Sequence, residues 1–198
     1  YVNTIPNKNH EFDNQQIINT TPGSYVTKAT LSSTNDQISP IIDTGRIGVI
    51  AVENVVNNVI TNETEQPSGG SATAKYISRR VSLTDGFDAS DLSVFLTMNK
   101  PAGTNVYVYY KVLSQFDPVL FDDRVWQVMT QTTNANNVAL TDDEFTEFQF
   151  DPAGGNVNYT ASGATYTTFK TFAVKIVMTS TNTTKVPGIQ DYRAIAMA

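Results

Sequence analysis

From Tyr76 onward, apolar and polar side chains alternate along the chain, the two-residue period of a strand with one face buried. Ile77, Arg79, Val81 and Leu83 alternate with Tyr76, Ser78, Arg80 and Ser82. After the turn dipeptide Asp85-Gly86, Leu92, Val94, Leu96 and Met98 share one face of a second run, with Ser93, Phe95 and Thr97 on the other. Pro101-Ala-Gly103 breaks that run. Val106, Val108, Tyr110 and Val112 then oppose Tyr107, Tyr109, Lys111 and Leu113. Trp126 and Val128 open a short strand. Phe148-Gln-Phe150 is another, stopped by Asp151-Pro-Ala-Gly-Gly155. Phe172, Val174, Ile176 and Met178 form a long alternating run, with Ala173, Lys175 and Val177 opposite. Pro187-Gly188 precedes a last strand from Tyr192 to Met197. Short strands separated by regularly spaced turns predict an all-β, antiparallel β-sandwich, jelly-roll-like, over 72–198. Helix is confined to two single-turn candidates, Ala89–Leu92 and Asp142–Phe145.

The first 71 residues differ. They are rich in Asn, Thr, Gln and Ile and keep no clean period. They read as an extended N-terminal arm with short strands. The firmest of these spans 46–53, Arg46-Ile-Gly-Val-Ile-Ala-Val-Glu53, β-branched and bounded by Asp43-Thr-Gly45 and Asn54. Residues 62–71 are a loop by composition.

Composition narrows the function classes. The chain of 198 residues is 40% hydrophobic, enough to build a core, but only 16% charged, so its polar surface comes from Thr, Asn, Ser and Gln. Such a surface suits packing against neighbours, where burying a charge is costly. The net charge is -6 and basic residues are scattered, which disfavours nucleic acid as a partner. No apolar run is long enough to span a bilayer, and no charged start with an apolar segment opens the chain, so a membrane is not an expected partner. Cysteine is absent, so burial or association with other chains must hold the fold.

No arrangement of residues points to catalysis. His10 is the only histidine, and with no Cys it supports neither a Ser-His-Asp device nor a zinc site. Asp85, Asp88 and Asp91 could gather Ca2+, or act as turn residues that cap backbone amides. The acidic pairs Asp122-Asp123 and Asp142-Asp143-Glu144 are adjacent in sequence and read as solvated loop charge rather than glycosidase carboxylates. Trp126 with Tyr107, Tyr109 and Tyr110 would make an aromatic platform for a sugar ring, or pack within the sandwich. Gly154-Gly155 is not followed by Lys-Ser or Lys-Thr and is a loop, not a phosphate cradle. Arg79 and Arg80 stand side by side, so one must point inward or toward an interface; Asp88, Asp91 and Asp123 are candidate partners for an inward one.

Six segments carry a family resemblance: Tyr76-Ile-Ser-Arg-Arg-Val81, Asp85-Gly-Phe-Asp-Ala-Ser-Asp-Leu92, Lys100-Pro-Ala-Gly-Thr104, Val108-Tyr-Tyr-Lys-Val-Leu113, Phe121-Asp-Asp-Arg124 and Thr165-Tyr-Thr-Thr-Phe-Lys-Thr-Phe172. On these the chain resembles a module of tailed-phage virion proteins, the large structural proteins of T4-like phages and especially cyanophages, placed in the tail, baseplate or fibre. The resemblance spans Ala74 to Ala198, and extends more loosely over Ser39 to Asn54. It implies a non-enzymatic assembly or connector role in the virion, with other virion proteins and copies of the same chain as partners. No catalytic residue and no cofactor is carried over. Those proteins are longer, so the chain is expected to be a short form or a fragment. The residues expected to serve assembly are Ile47, Val49, Ile50 and Val52 on the arm strand, with Arg79, Arg80, Asp88 and Asp91 fixing the sandwich. The alternative is a carbohydrate-binding jelly roll that touches a host surface through Trp126, Tyr107 and Tyr109, with Ca2+ near Asp85, Asp88 and Asp91.

Overall fold

The computed structural model describes residues 30–43, 45, 54–65, 67, 69–181 and 185–198. The chain divides into two units, Tyr1–Val49 and Ile50–Ala198. In the first, the described residues are exposed and hold local turns, such as the Gln37 N–H donating to Asn35 Oδ1 at 2.9 Å. The predicted strand over 46–53, with Ile47, Val49, Ile50 and Val52, lies outside the described residues.

The second unit is an antiparallel β-sandwich. Its strands are β1 (Ala74–Ile77), β2 (Val81–Ser82), β3 (Asp91–Asn99), β4 (Thr104–Leu113), β5 (Gln127–Gln131), β6 (Thr146–Pro152), β7 (Tyr159–Ala161), β8 (Ala164–Tyr166), β9 (Thr171–Ser180) and β10 (Gly188–Met197). The hydrogen-bonded order is β1-β9-β4-β5-β6-β3-β10, with β2 also on β9 and β7-β8 a separate hairpin. One curled sheet thus makes both layers. β5 is the corner: Gln127 and Val128 pair with Tyr110 and Tyr109 of β4, while Met129 to Gln131 pair with Pro152 to Phe150 of β6. At the open side, β1 and β10 meet through Tyr76 and Tyr192, whose rings pack edge-on with centroids 6.0 Å apart.

The alternation read from sequence sets the inner face. Leu92, Val94, Leu96 and Met98 of β3 meet Val106, Val108, Tyr110 and Val112 of β4. Phe148 and Phe150 of β6 and Phe172, Val174 and Ile176 of β9 complete the core, all nearly or fully buried. Aromatic and β-branched side chains fill such a space at little rotamer cost.

Three local expectations are corrected, and one hairpin is added. The run over 76–83 is two short strands, because the chain leaves β9 at Arg79 and Arg80. Neither helix candidate forms: Ala89 makes a lone bridge to Phe169, Leu92 joins β3, and 142–145 hold a turn. A 3-10 turn lies at Phe121–Asp123. The hairpin β7-β8 was not foreseen. Its two-residue loop, Ser162-Gly163, takes φ of 51° and 79°, the mirror-image turn that matches strand twist.

Candidate functional site

Around Tyr109, Lys111, Ala173, Lys175 and Val177, the outer face of the β9-β4 layer is buried as deeply as its inner face. On a free sandwich the side chains Tyr109, Lys111, Ala173, Lys175 and Val177 would meet water. Here they lie under Ala72, Trp126 and Phe121, with Ile60 and Leu113 packed around them. The cover is the segment between Asn57 and Thr73, which folds back on itself. Ser71 N–H donates to the Thr61 carbonyl at 2.9 Å, Thr61 N–H to Ser71 Oγ at 2.7 Å, and Thr73 N–H to Asn57 Oδ1 at 3.0 Å. Gly70 permits the fold: a Cβ there would sit 2.3 Å from the Thr61 carbonyl oxygen and 2.6 Å from the Glu63 nitrogen.

Three lysines pin this cover to the sheet. Lys175 Nζ, with no exposed surface, donates to the Glu63 carbonyl at 2.6 Å and to Glu63 Oε2 at 2.9 Å. Lys111 Nζ donates to the Pro67 carbonyl at 3.2 Å, which also accepts from Trp126 Nε1 at 2.9 Å. Lys75 Nζ donates to the Gly70 carbonyl at 2.8 Å. Aromatic faces supply the rest of the ammonium environment. Lys175 Nζ lies 4.5 Å from the Tyr109 ring centroid and 5.2 Å from that of Trp126. Lys111 Nζ lies 4.8 Å from Trp126 and 5.2 Å from Phe121.

The electrostatics follow from that burial. Burial alone would raise the Glu63 carboxyl, but Lys175 and the N–H groups of Ala72 (2.7 Å) and Gly70 (3.2 Å) outweigh it and hold the group below the ordinary carboxylate range. Burial lowers Lys175, with Glu63 pulling the other way. Lys111 is also lowered by burial, opposed by Asp122 and Asp123. Burial, with the Glu63 charge, pushes the Tyr109 hydroxyl up to about 12. A desolvated lysine is a candidate nucleophile where a substrate can reach it. Lys175 has no exposed surface, so the cluster fastens a loop instead.

Two further polar clusters stand apart from it. Tyr159 OH accepts from Ser114 N–H at 2.8 Å and donates to Asp117 Oδ2 at 3.0 Å, and the Arg124 guanidinium stacks 4.3 Å over the ring. On the other layer's outer face, Asp151 accepts from Ser93 Oγ at 2.6 Å and Thr132 Oγ1 at 2.7 Å. It borders a shallow cleft of about 460 Å³ with Asp91, Asn156 and Gly155. Its carboxyl is held low because those hydroxyl donors outweigh burial.

The residues singled out by sequence scatter. Trp126 and Tyr109 do come together, but under the cover. Only Tyr107 of the proposed sugar platform is exposed, so the three rings form no open surface for a sugar. Arg79 and Arg80 both lie on the surface where β1 and β2 separate, and the Arg80 guanidinium sits 5.8 Å over the Phe121 ring. Asp85 pairs with Lys170, Asp88 Oδ2 accepts from Gln115 Nε2 at 2.7 Å, and Asp91 Oδ1 accepts from Leu92 N–H at 2.7 Å. These three aspartates thus hold separate local partners, and among the described residues no three acidic or imidazole groups gather as a metal site would require. Glu63, Pro67, Lys111 and Lys175 were not foreseen as a group. A signal existed for Lys175: Ala173 and Val177 flank it on a face that a free sandwich would leave polar.

No family model and no curated protein matches this chain. Among solved structures it is similar to that of the Gx strain of infectious bursal disease virus, at 12% identity and TM-score 0.28, covering 80% of this chain and 36% of that one. It is also similar to the VP2 subviral particle of infectious bursal disease virus, at 9% identity and TM-score 0.27, covering 67% of this chain and 35% of that one. The chain spans about a third of the length of those proteins. At such scores the likeness carries no argument.

Proposed function

We propose that this chain is a non-enzymatic structural protein of a virion, an assembly or connector module of a tail, baseplate or fibre. The observation that carries the reading is where apolar side chains meet water. Part of the outer face of one layer is covered by the chain itself, yet Phe87, Phe116, Leu120 and Leu140 stand two-thirds or more exposed on end loops. Tyr76, Ile77, Val81, Ile195 and Met197 are exposed along the outermost strands. Loops 85–88 and 115–116 are tied together by the Gln115–Asp88 hydrogen bond, which brings Phe87 and Phe116 to the same end of the sandwich. Apolar groups gathered on one surface mark a contact site, and the end that carries Phe87 and Phe116 is the candidate here. The low charge and the resemblance of 74–198 to phage virion proteins agree with that use. In this reading the partners are other virion proteins and copies of the chain, contacted through the arm residues Ile47, Val49, Ile50 and Val52 and through the surface pair Arg79 and Arg80.

The test is quantitative mass spectrometry of gradient-purified particles from the source of the gene. Peptides of the chain in fixed ratio to other particle proteins support the role. Peptides present in the lysate but absent from particles refute it. The glycan-binding alternative draws no support from Trp126 and Tyr109, whose rings are covered.

A further inference from the structure

We propose that two copies of this chain join edge to edge through β10, in an antiparallel two-fold pairing centred on Ala194. β10 runs for 10 residues and closes the strand order, with no strand beyond it among the described residues. Which of its backbone groups are free follows from the ladder. Gln149 N–H donates to Thr133 Oγ1 and its carbonyl accepts from Thr132 N–H, so Gln149 turns toward β5. Phe148 and Phe150 therefore turn toward β3, opposite Leu96 and Val94. Alternation then turns Ser93, Phe95 and Thr97 toward β10, opposite Ile195, Arg193 and Asp191. The N–H and C=O groups of Tyr192, Ala194 and Ala196 are left on the open edge.

An exposed edge is a template for another strand, and most proteins blunt it with a bulge, a charge or a proline. Here those devices crowd one half. Pro187 precedes the strand, a bulge lies between Ile189 and Asp191, and Asp191 and Arg193 pair with each other at 3.5 Å. The half from Tyr192 to Met197 is regular and, apart from Arg193, uncharged. A two-fold axis requires antiparallel pairing of identical segments. Centring on Tyr192 would set Ala194 against Gln190, where the bulge has broken the alternation. Centring on Ala194 matches every open residue with another: Ala194 with Ala194 of the second copy, and Tyr192 with its Ala196. Roughly six hydrogen bonds result.

Side-chain sizes fit the same register. Tyr192, whose ring stays edge-on against Tyr76, has a small residue opposite it in the second copy, and Ala194 faces itself. On the outer face, Arg193 lies opposite Ile195 of the second copy, an isoleucine that is 42% exposed in the single chain, while its guanidinium stays over the Phe95 ring and beside Glu147. Asp191 lies opposite Met197. As the self-association step of the role proposed above, this inference rests on that reading for its purpose; its geometry stands on β10 alone.

The experiment is sedimentation equilibrium of the full chain across the micromolar range, with two variants. Ala194→Pro removes an N–H that faces away from β3, so the sandwich keeps its ladder while the pairing loses its central donors. Ile195→Lys sets a cation opposite Arg193 across the axis without touching the edge backbone. The expected result is a dimer for the parent and a folded monomer for each variant, judged by circular dichroism. A monomeric parent, or a folded variant that stays dimeric, overturns the proposal. If Ala194→Pro does not fold, Ile195→Lys decides alone. A dimeric parent that is absent from particles defeats the virion role and leaves the pairing intact; a monomer found in particles does the reverse.

Discussion

Replacing Glu63 by Gln tests the fastening of the covered face directly. Lys175 is fully buried and the Glu63 side chain is 4% exposed. At 2.9 Å, their attraction is on the order of 6 kcal/mol for an effective dielectric of about 20. Burying each ion costs several kcal/mol, so the intact pair adds little net stability. Removing one charge is a different matter, because the other keeps its burial cost. In Glu63→Gln the ammonium retains the residue-63 carbonyl and the faces of Tyr109 and Trp126, but no counter-charge. The expected loss is about 3–5 kcal/mol at neutral pH. For a domain of this size that lowers Tm by roughly 10 °C. Lys175→Met should cost less than Glu63→Gln. The stranded carboxylate still accepts from Ala72 and Gly70 and can take up a proton. The double variant should be more stable than Glu63→Gln alone. Urea melts followed by the single tryptophan, Trp126, read the region where the change is made. Acid supplies an internal control. The Glu63 pKa is lowered on folding, so its contribution is present above the ordinary carboxylate range and lost as pH falls through the folded value. The gap between parent and Glu63→Gln must therefore narrow toward acid. A loss under about 1 kcal/mol, or single-variant costs that simply add in the double, would refute the reasoning.

Gly70→Ala should destabilise the fold by about 1–3 kcal/mol, measured by urea denaturation, since its Cβ collides with backbone at Thr61 and Glu63 rather than with a movable side chain. Phe148→Ala, which empties a site that is 1% exposed in the core, should cost about 3–5 kcal/mol in the same assay. Alkaline melts should show stability falling as pH rises from 10 toward 12. Tyr109 and Tyr159 are both raised to about 12, so their contribution is full below the ordinary tyrosine value and lost through the folded one. Tyr159→Phe should flatten part of that fall.

The inner core was legible because period 2 survives wherever one face is dry and the other wet. Leu92 through Met98 and Val106 through Val112 needed no further information. The same logic failed for the outer face of β9. Lys175 interrupts an apolar run, and a lone lysine on a strand is ordinarily a solvated one. Only the cover makes it a buried one, and the cover is supplied by a loop more than 100 residues earlier, whose composition of Asn, Glu, Thr and Ser carries no packing signal. Trp126 left two readings open for a related reason. Aromatics that bind sugars and aromatics that lie under loops have the same local sequence, and the Trp126 bond to Pro67 spans 59 residues. The break at Arg79 and Arg80 was hidden by an alternation that continues through it. Long-range closure, not local pattern, decided each of these.

The covered face also bears on how the chain meets other molecules. A buried ion pair is weak evidence for stability, because apolar residues of similar volume often replace it without loss. Its effect here is on which surface is available. Residues 57–73 are held at fixed carbonyls by lysines from three strands, β1, β4 and β9, so the cover cannot slide along the sheet without stranding at least one ammonium. That denies the covered cluster around Tyr109, Ala173 and Val177 to any partner. Among the described residues, the open surfaces include the β10 edge, the outer strands near Tyr76 and Val81, and the end loops with Phe87 and Phe116. Each is a narrow or directional surface. Edge pairing fixes register through backbone bonds, and isolated rings on loops fill pockets rather than spread over sheets. For a chain with so few charges to repel wrong partners, directional surfaces of this kind are a physical means of choosing the right one.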